Sequence, residues 1–181
     1  MNTKDIILLG RSIGGGIAFS IAAKYPAASV VLLSPFLSLK KIASDLYGSC
    51  SSAVLKETFD NEHNAKNIAS PILLIHGLKD QLVPYEHSVA ILGECRSYCR
   101  LHLVENMTHS KFSFRRDFTW PLKNFLHDLD IVTWLFIIWN HWALRIDYST
   151  DSSSITYVAN FFSLFLRMKL FLFLFRDSFN F

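Results

Sequence analysis

Ser12, Asp80 and His109 stand in an order and in local settings that suit nucleophilic catalysis. Ser12 is the centre of Gly10-Arg11-Ser12-Ile13-Gly14, a G-x-S-x-G pentapeptide with an apolar run before it and a helix-like stretch after it. A serine on so sharp a strand-to-helix turn has its hydroxyl pushed outward, and glycines beside it permit close backbone passage. A glycine-rich phosphate loop is the competing reading. Gly10 and Gly14 fit neither G-x-G-x-x-G nor the Lys-bearing P-loop. A serine hydroxyl needs a base, and the base needs a carboxylate to fix its tautomer. Asp80 closes Ile75-His76-Gly77-Leu78-Lys79-Asp80, and His109 closes Glu105-Asn106-Met107-Thr108-His109. The expected roles are Ser12 as nucleophile, Asp80 as orienting acid and His109 as base. That chemistry calls for no metal and no organic cofactor. His102 inside a strand, His76 in a turn, His87 on a helix, and His63 and Asp60 in the middle segment read as structural or solvated.

The elements around these residues follow from runs and breaks. Ile6 to Leu9 is a short continuous apolar run, the pattern of a buried parallel strand. Ile13 to Lys24 is helix-like and closes at Tyr25-Pro26, since proline cannot continue a helix. Glycines 14, 15 and 16 are expected to let this helix lie tightly on the strands. Val30 to Leu33 and Ile72 to Ile75 predict two more strands, and Arg100 to Val104 a fourth. Tyr85 to Cys95 and Phe118 to Leu129 predict helices, while residues 36–69 are helical in pieces. Strands alternating with helices give the α/β class with a parallel sheet. All three candidates then fall just past the carboxyl ends of strands, where open α/β sheets place their sites.

Composition narrows the class further. At 51% hydrophobic and 18% charged, the chain is too apolar for disorder, and a net charge of +3 is too small for a nucleic-acid binder. Cys50, Cys95 and Cys99 are odd in number, and the four-residue spacing of the last two is poor zinc evidence. A reducing, cytoplasmic setting is expected. Met1 to Asp5 leads into the first apolar run without a small-residue cleavage site, so no secretory signal is expected.

These stretches together resemble the serine α/β-hydrolases near the domain-containing-17 and Bem46-like groups. The likeness rests on Asp5 to Gly16, on Val31-Leu32-Leu33-Ser34-Pro35-Phe36, and on Ser70 to Asp80 followed by Val83-Pro84 and Glu86-His87-Ser88. Met107-Thr108-His109 followed by Pro121 to Leu126 completes it, so that roughly residues 4–128 are covered. The resemblance implies the same triad, with the backbone N–H of Ile13 as an oxyanion donor. It also implies acyl ester or thioester substrates, including fatty acyl groups on the cysteines of lipidated proteins. Family members carry about four strands before the elbow, including the loop that supplies the other oxyanion donor. The expected fold is therefore the C-terminal portion of an α/β-hydrolase, with about four parallel strands, flanking helices and an aromatic tail. Its first strand would be an apolar sheet edge.

Of the twenty-six aromatic residues, fourteen follow Asp130, which sets a domain boundary there: 1–130 hydrolase-like, 131–181 tail. Ile155 to Phe175 is about long enough to cross a bilayer as a helix, but Arg167 and Lys169 sit past its middle. An interfacial helix on a membrane surface, a span and ordinary core all remain open for 131–181. So does a low-complexity end of a truncated or mis-spliced reading frame. A catalytically impaired fragment that binds a membrane or a partner through this tail is the alternative to an enzyme.

Overall fold

Val30 to Leu33 and Ile72 to Ile75 have no polar face to turn toward water, so a sheet containing them must be covered on both sides. The computed structural model describes residues 6–48 and 58–131, with Thr3, Cys50 and Lys56. Strands β1 (Ile7–Arg11), β2 (Ser29–Leu33), β3 (Ile72–Gly77) and β4 (Cys99–Val104) form one sheet in the order β1-β2-β3-β4. Every pairing is parallel. The helices are α1 (Ile13–Ala22), α2 (Leu39–Tyr47), α3 (Asn61–Asn67), α4 (Glu86–Glu94) and α5 (Trp120–Asp128), the last continuing a π-helical segment, Phe114–Thr119.

Strand alternation divides the core in two. Leu8, Val30, Leu32, Ile72 and Leu74 pack on one face with Phe19, Ala22, Ala65 and Ile91 from α1, α3 and α4. Ile7, Val31, Leu33, Leu73 and Ile75 pack on the other with Phe118, Phe125 and Leu126. Every residue of β2 and β3 is buried, which is why both runs are apolar throughout. Among the described residues β1 pairs with β2 alone and is a sheet edge, although Ile7 and Leu8 are themselves buried.

The expected strands and helices shift by a few residues at their ends. The last helix is the largest change, because helical backbone begins at Phe114 in a π turn. Pro121 has no N–H to give the carbonyl of Asp117, and the wider turn sends the Trp120 N–H to Arg115 O instead. Among its described residues the middle segment holds α2 and α3. Asp60 caps α3 by accepting from the His63 N–H at 2.9 Å, so both are helix-end residues. None of α2 is buried, and His87 tethers it. Its Nδ1 accepts from the Leu37 N–H at 3.1 Å, and its Nε2 meets Asp45 Oδ2 at 2.9 Å. Burial holds the His87 imidazole below its ordinary pKa against the opposing pull of Asp45, which keeps Nδ1 free to accept.

The expected tight passage of α1 against the strands is present at Gly14 and Gly15, whose backbone lies close against Gly10 of β1. A Cβ on Gly15 would meet Leu32 and Pro35 at ordinary contact distances, and Gly16 abuts the Phe59 ring rather than a strand. The tight passage is at Gly10, where a Cβ would stand 2.5 Å from Gly14 O. The thiols of Cys50, Cys95 and Cys99 are free. Among the described residues no helix is long and apolar enough to cross a membrane. The expectations for 131–181 fall outside the described residues beyond Ile131, whose N–H bonds Leu126 O at 3.1 Å.

Candidate active site

A serine at a helix N-cap ordinarily turns its hydroxyl back to a first-turn N–H. Ser12 precedes α1 but makes no such bond, because its backbone stands at φ 50 and ψ −121. That conformation costs a non-glycine residue on the order of 1–3 kcal/mol, and it persists only where surrounding bonds fix it. Here the Ser12 N–H donates to Leu33 O on β2 at 2.9 Å, and Ser12 O accepts from the Gly15 N–H at 2.9 Å. The strain leaves two things at the sheet's carboxyl end: a serine hydroxyl aimed away from its helix, and a first turn without a side-chain cap. Ile13 opens α1, so its N–H has no intrahelical partner and the positive end of the helix dipole lies there.

The hydroxyl meets His109. Ser12 Oγ is 3.1 Å from His109 Nε2, and His109 Nδ1 is 2.8 Å from Asp80 Oδ2. An ionised carboxylate only accepts, so Nδ1 carries the ring proton and Nε2 offers its lone pair to the serine O–H. Asp80 is fixed from its other oxygen, where Oδ1 accepts from the Leu82 N–H at 3.0 Å and the Val83 N–H at 2.9 Å. Burial pushes its carboxyl up, but bonds from His109, His76 and the Val83 N–H outweigh that. They hold it well below the ordinary carboxylate range. The Asp80 side chain is fully buried, while that of His109 retains 15% exposure, enough for water or a substrate to reach it. The three side chains thus come together from loops after β1, β3 and β4.

Two more residues belong to this site: His76, expected as a structural residue in a turn and found instead within β3, and Arg11, to which no role was given. His76 is wholly buried behind the carboxylate, its Nε2 2.8 Å from Val83 O and 3.5 Å from Asp80 Oδ2. Both are acceptors, so Nε2 carries the proton and Nδ1 accepts from the Ser88 hydroxyl at 2.6 Å. The available signal was a histidine at the end of a buried apolar strand, four residues before an aspartate. Arg11 is the other, with Nη2 donating to His109 O at 2.6 Å. His102 belongs elsewhere: burial lowers its pKa and Asp117 opposes that. A shallow recess lined by Lys66, Asn67, Arg96 and Ser97 adjoins the segments leading into β3 and β4, at the opposite end of the strands. Among the described residues no three His, Cys, Asp or Glu side chains are grouped to hold a metal ion.

Comparison with known proteins agrees with this architecture. No protein-family model matches the chain. It is 28% identical over 123 residues to alpha/beta hydrolase domain-containing protein 17B of Homo sapiens, covering 68% of this chain and 42% of that protein. Against protein 17C of Mus musculus it is 27% identical over 130 residues, covering 71% and 40%. The chain thus spans 40–42% of the length of these curated relatives. Among solved structures it resembles acetyl xylan esterase 1 from Thermoanaerobacterium sp. JW/SL YS485, with TM-score 0.54 and 21% identity over 71% of this chain and 47% of that one. It also resembles the acylaminoacyl peptidase of Pyrococcus horikoshii, with TM-score 0.55 and 15% identity over 71% and 24%. Together with the parallel sheet, these likenesses show part of an α/β-hydrolase fold, and the curated relatives are α/β hydrolases.

Proposed function

We propose that this chain carries the catalytic residues of a serine hydrolase that cleaves an acyl ester or thioester through an acyl-enzyme. The observation that carries the reading is the run from Ser12 Oγ to His109 Nε2 and from His109 Nδ1 to Asp80 Oδ2, at 3.1 and 2.8 Å. In the first step Ser12 Oγ bonds to the carbonyl carbon while its proton passes to His109 Nε2. The carbonyl oxygen becomes an oxyanion, which the Ile13 N–H and the α1 dipole favour. Collapse breaks the bond to the leaving oxygen or sulfur, which takes the proton from His109. A water then gives a proton to His109 as it attacks the acyl-serine, and collapse breaks the bond from the acyl carbon to Ser12 Oγ, which takes that proton back from His109 as the acid leaves. Asp80 stays ionised throughout and stabilises the imidazolium formed in each half.

Ile13 is 46% exposed and Leu82 is 47% exposed, so an apolar side chain flanks Ser12 and another follows Asp80 along the chain. These surfaces suit an acyl chain better than a charged group. An S-acylated cysteine of a lipidated protein is the thioester that the resemblance of residues 4–128 brings forward. The test is incubation of the 181-residue chain with a p-nitrophenyl ester and with an acyl thioester, followed by rapid acid quench and intact-mass analysis. The reading expects a mass increase of one acyl group, mapped to the Ser12 peptide, with both substrates. Product release with no acylated species, and no dependence on Ser12, overturns it.

A further inference from the structure

Arg11 places a charge on a face of β1 that is otherwise apolar. Side chains alternate along β1, and Ile7 and Leu9 face the layer that contains Phe118, Phe125 and Phe112. Arg11 is the next residue on that face. Its guanidinium donates to His109 O at 2.6 Å, and its Cζ lies 5.7 Å from the centroid of the Phe112 ring. Both partners belong to the loop between β4 and the π-helical segment, which carries the base. Ser12, the nucleophile, is the next residue along the chain. One side chain therefore joins the strand end under the nucleophile to the loop under the base.

Among the described residues, the other backbone bonds of that loop are made within it, with the elements it joins and to the segment after β3. The Thr108 N–H donates to Lys111 O at 3.1 Å, and the Lys111 N–H donates to Thr108 Oγ1 at 3.0 Å, closing the turn on itself. The Lys79 N–H donates to Met107 O at 3.1 Å, tying the loop to the segment that carries Asp80. Asp80 and His109 are thus held to each other from one side. Among the described residues, the bond from Arg11 is the link between the His109 backbone and β1. A planar guanidinium suits both contacts at once, bonding in its plane and lying against a ring by its face.

We propose that Arg11 is a positioning residue that sets the separation of Ser12 and His109. It acts through the His109 backbone and touches no reacting atom. The inference rests on the hydrolase reading for its kinetic consequence and on geometry alone for its structural one. Two measurements on the full chain separate these. Arg11→Met is expected to lower kcat for a p-nitrophenyl ester roughly a hundredfold, the scale of a misplacement of about 1 Å, with KM near that of the parent. Arg11→Lys keeps a donor but not the flat face and should recover part of the loss. Phe112→Leu keeps the hydrogen bond and should lose less than Arg11→Met, which covers the case in which the latter fails to fold.

The second measurement is NMR of the His109 ring Cε1 signal. It should be sharp in the parent, broadened by exchange in Arg11→Met and intermediate in Arg11→Lys. A structural role limited to stability would lower the melting temperature while leaving the kcat of the folded protein and the ring signal unchanged. That result overturns the inference, as does a parent-like ring signal in Arg11→Met. If the parent hydrolyses no ester yet its ring signal broadens on loss of Arg11, the hydrolase reading fails and the positioning role stands.

Discussion

Ser12→Ala is expected to lower ester turnover roughly a millionfold, the scale seen when the nucleophile of a catalytic triad is removed. The fold should survive, because the hydroxyl caps nothing in α1 and its recorded partner is His109. Ser12→Gly sharpens the test. Both variants lack the nucleophile, but only glycine adopts φ 50 without penalty. Ser12→Gly should therefore be as inactive as Ser12→Ala and more stable than it by about 1–3 kcal/mol. Turnover assays and urea melts of the two variants check both halves. A Ser12→Ala chain that keeps near-parent turnover would place the chemistry elsewhere, and equal stability of the two variants would remove the argument from strain.

Asp80→Asn should cost about ten-thousandfold in kcat while leaving the site's shape almost intact. The asparagine carbonyl can still accept from the Leu82 and Val83 N–H groups. Its amide then faces His109 Nδ1 and drives that nitrogen to accept, placing the ring proton on Nε2, where Ser12 needs a lone pair. The same amide opposes the Nε2–H of His76 at the position that the carboxylate held at 3.5 Å, so a loss of stability accompanies the loss of rate. The pH dependence has a definite sign. A carboxyl held below its ordinary pKa by its folded-state partners contributes stability that is complete above about 4. It is lost as pH falls below that value toward the folded-state pKa. Thermal melts from pH 6 down to pH 3 should show the parent losing this margin and Asp80→Asn lacking it from the start. Parallel melting curves for the two chains would contradict the assignment.

Much of this was legible from residue order because the physics involved is local or nearly so. Val30 to Leu33 and Ile72 to Ile75 are apolar at every position because both faces of a central parallel strand are buried. Pro35 and Gly77 stand two residues past these runs, so the approximate strand ends, where an open α/β sheet places its chemistry, could be read from the sequence. The order Ser12, Asp80, His109 did the rest. What escaped was polar groups whose partners are backbone atoms brought close only by the fold. His76 is oriented by the carbonyl of Val83 and the hydroxyl of Ser88, and nothing in its neighbours' types announces either bond. Arg11 reaches a carbonyl ninety-eight residues away. The helices between β2 and β3 were expected only in pieces, and where they sit was not legible for another reason. α2 carries an apolar stripe, Leu39, Ile42, Ala43 and Leu46, yet none of the helix is buried, and what ties it down is the contact of Asp45 with His87.

The central claim is that Ser12 is an activated nucleophile in this chain, and labelling by a fluorophosphonate probe tests it most directly. The probe phosphonylates a serine whose proton a neighbouring base can take, whatever the natural acyl group. The account predicts stoichiometric labelling of the parent chain on the Ser12 peptide, none in Ser12→Ala, and much slower labelling in Asp80→Asn. A folded parent chain that resists the probe, or one labelled equally well after Ser12→Ala, would contradict it.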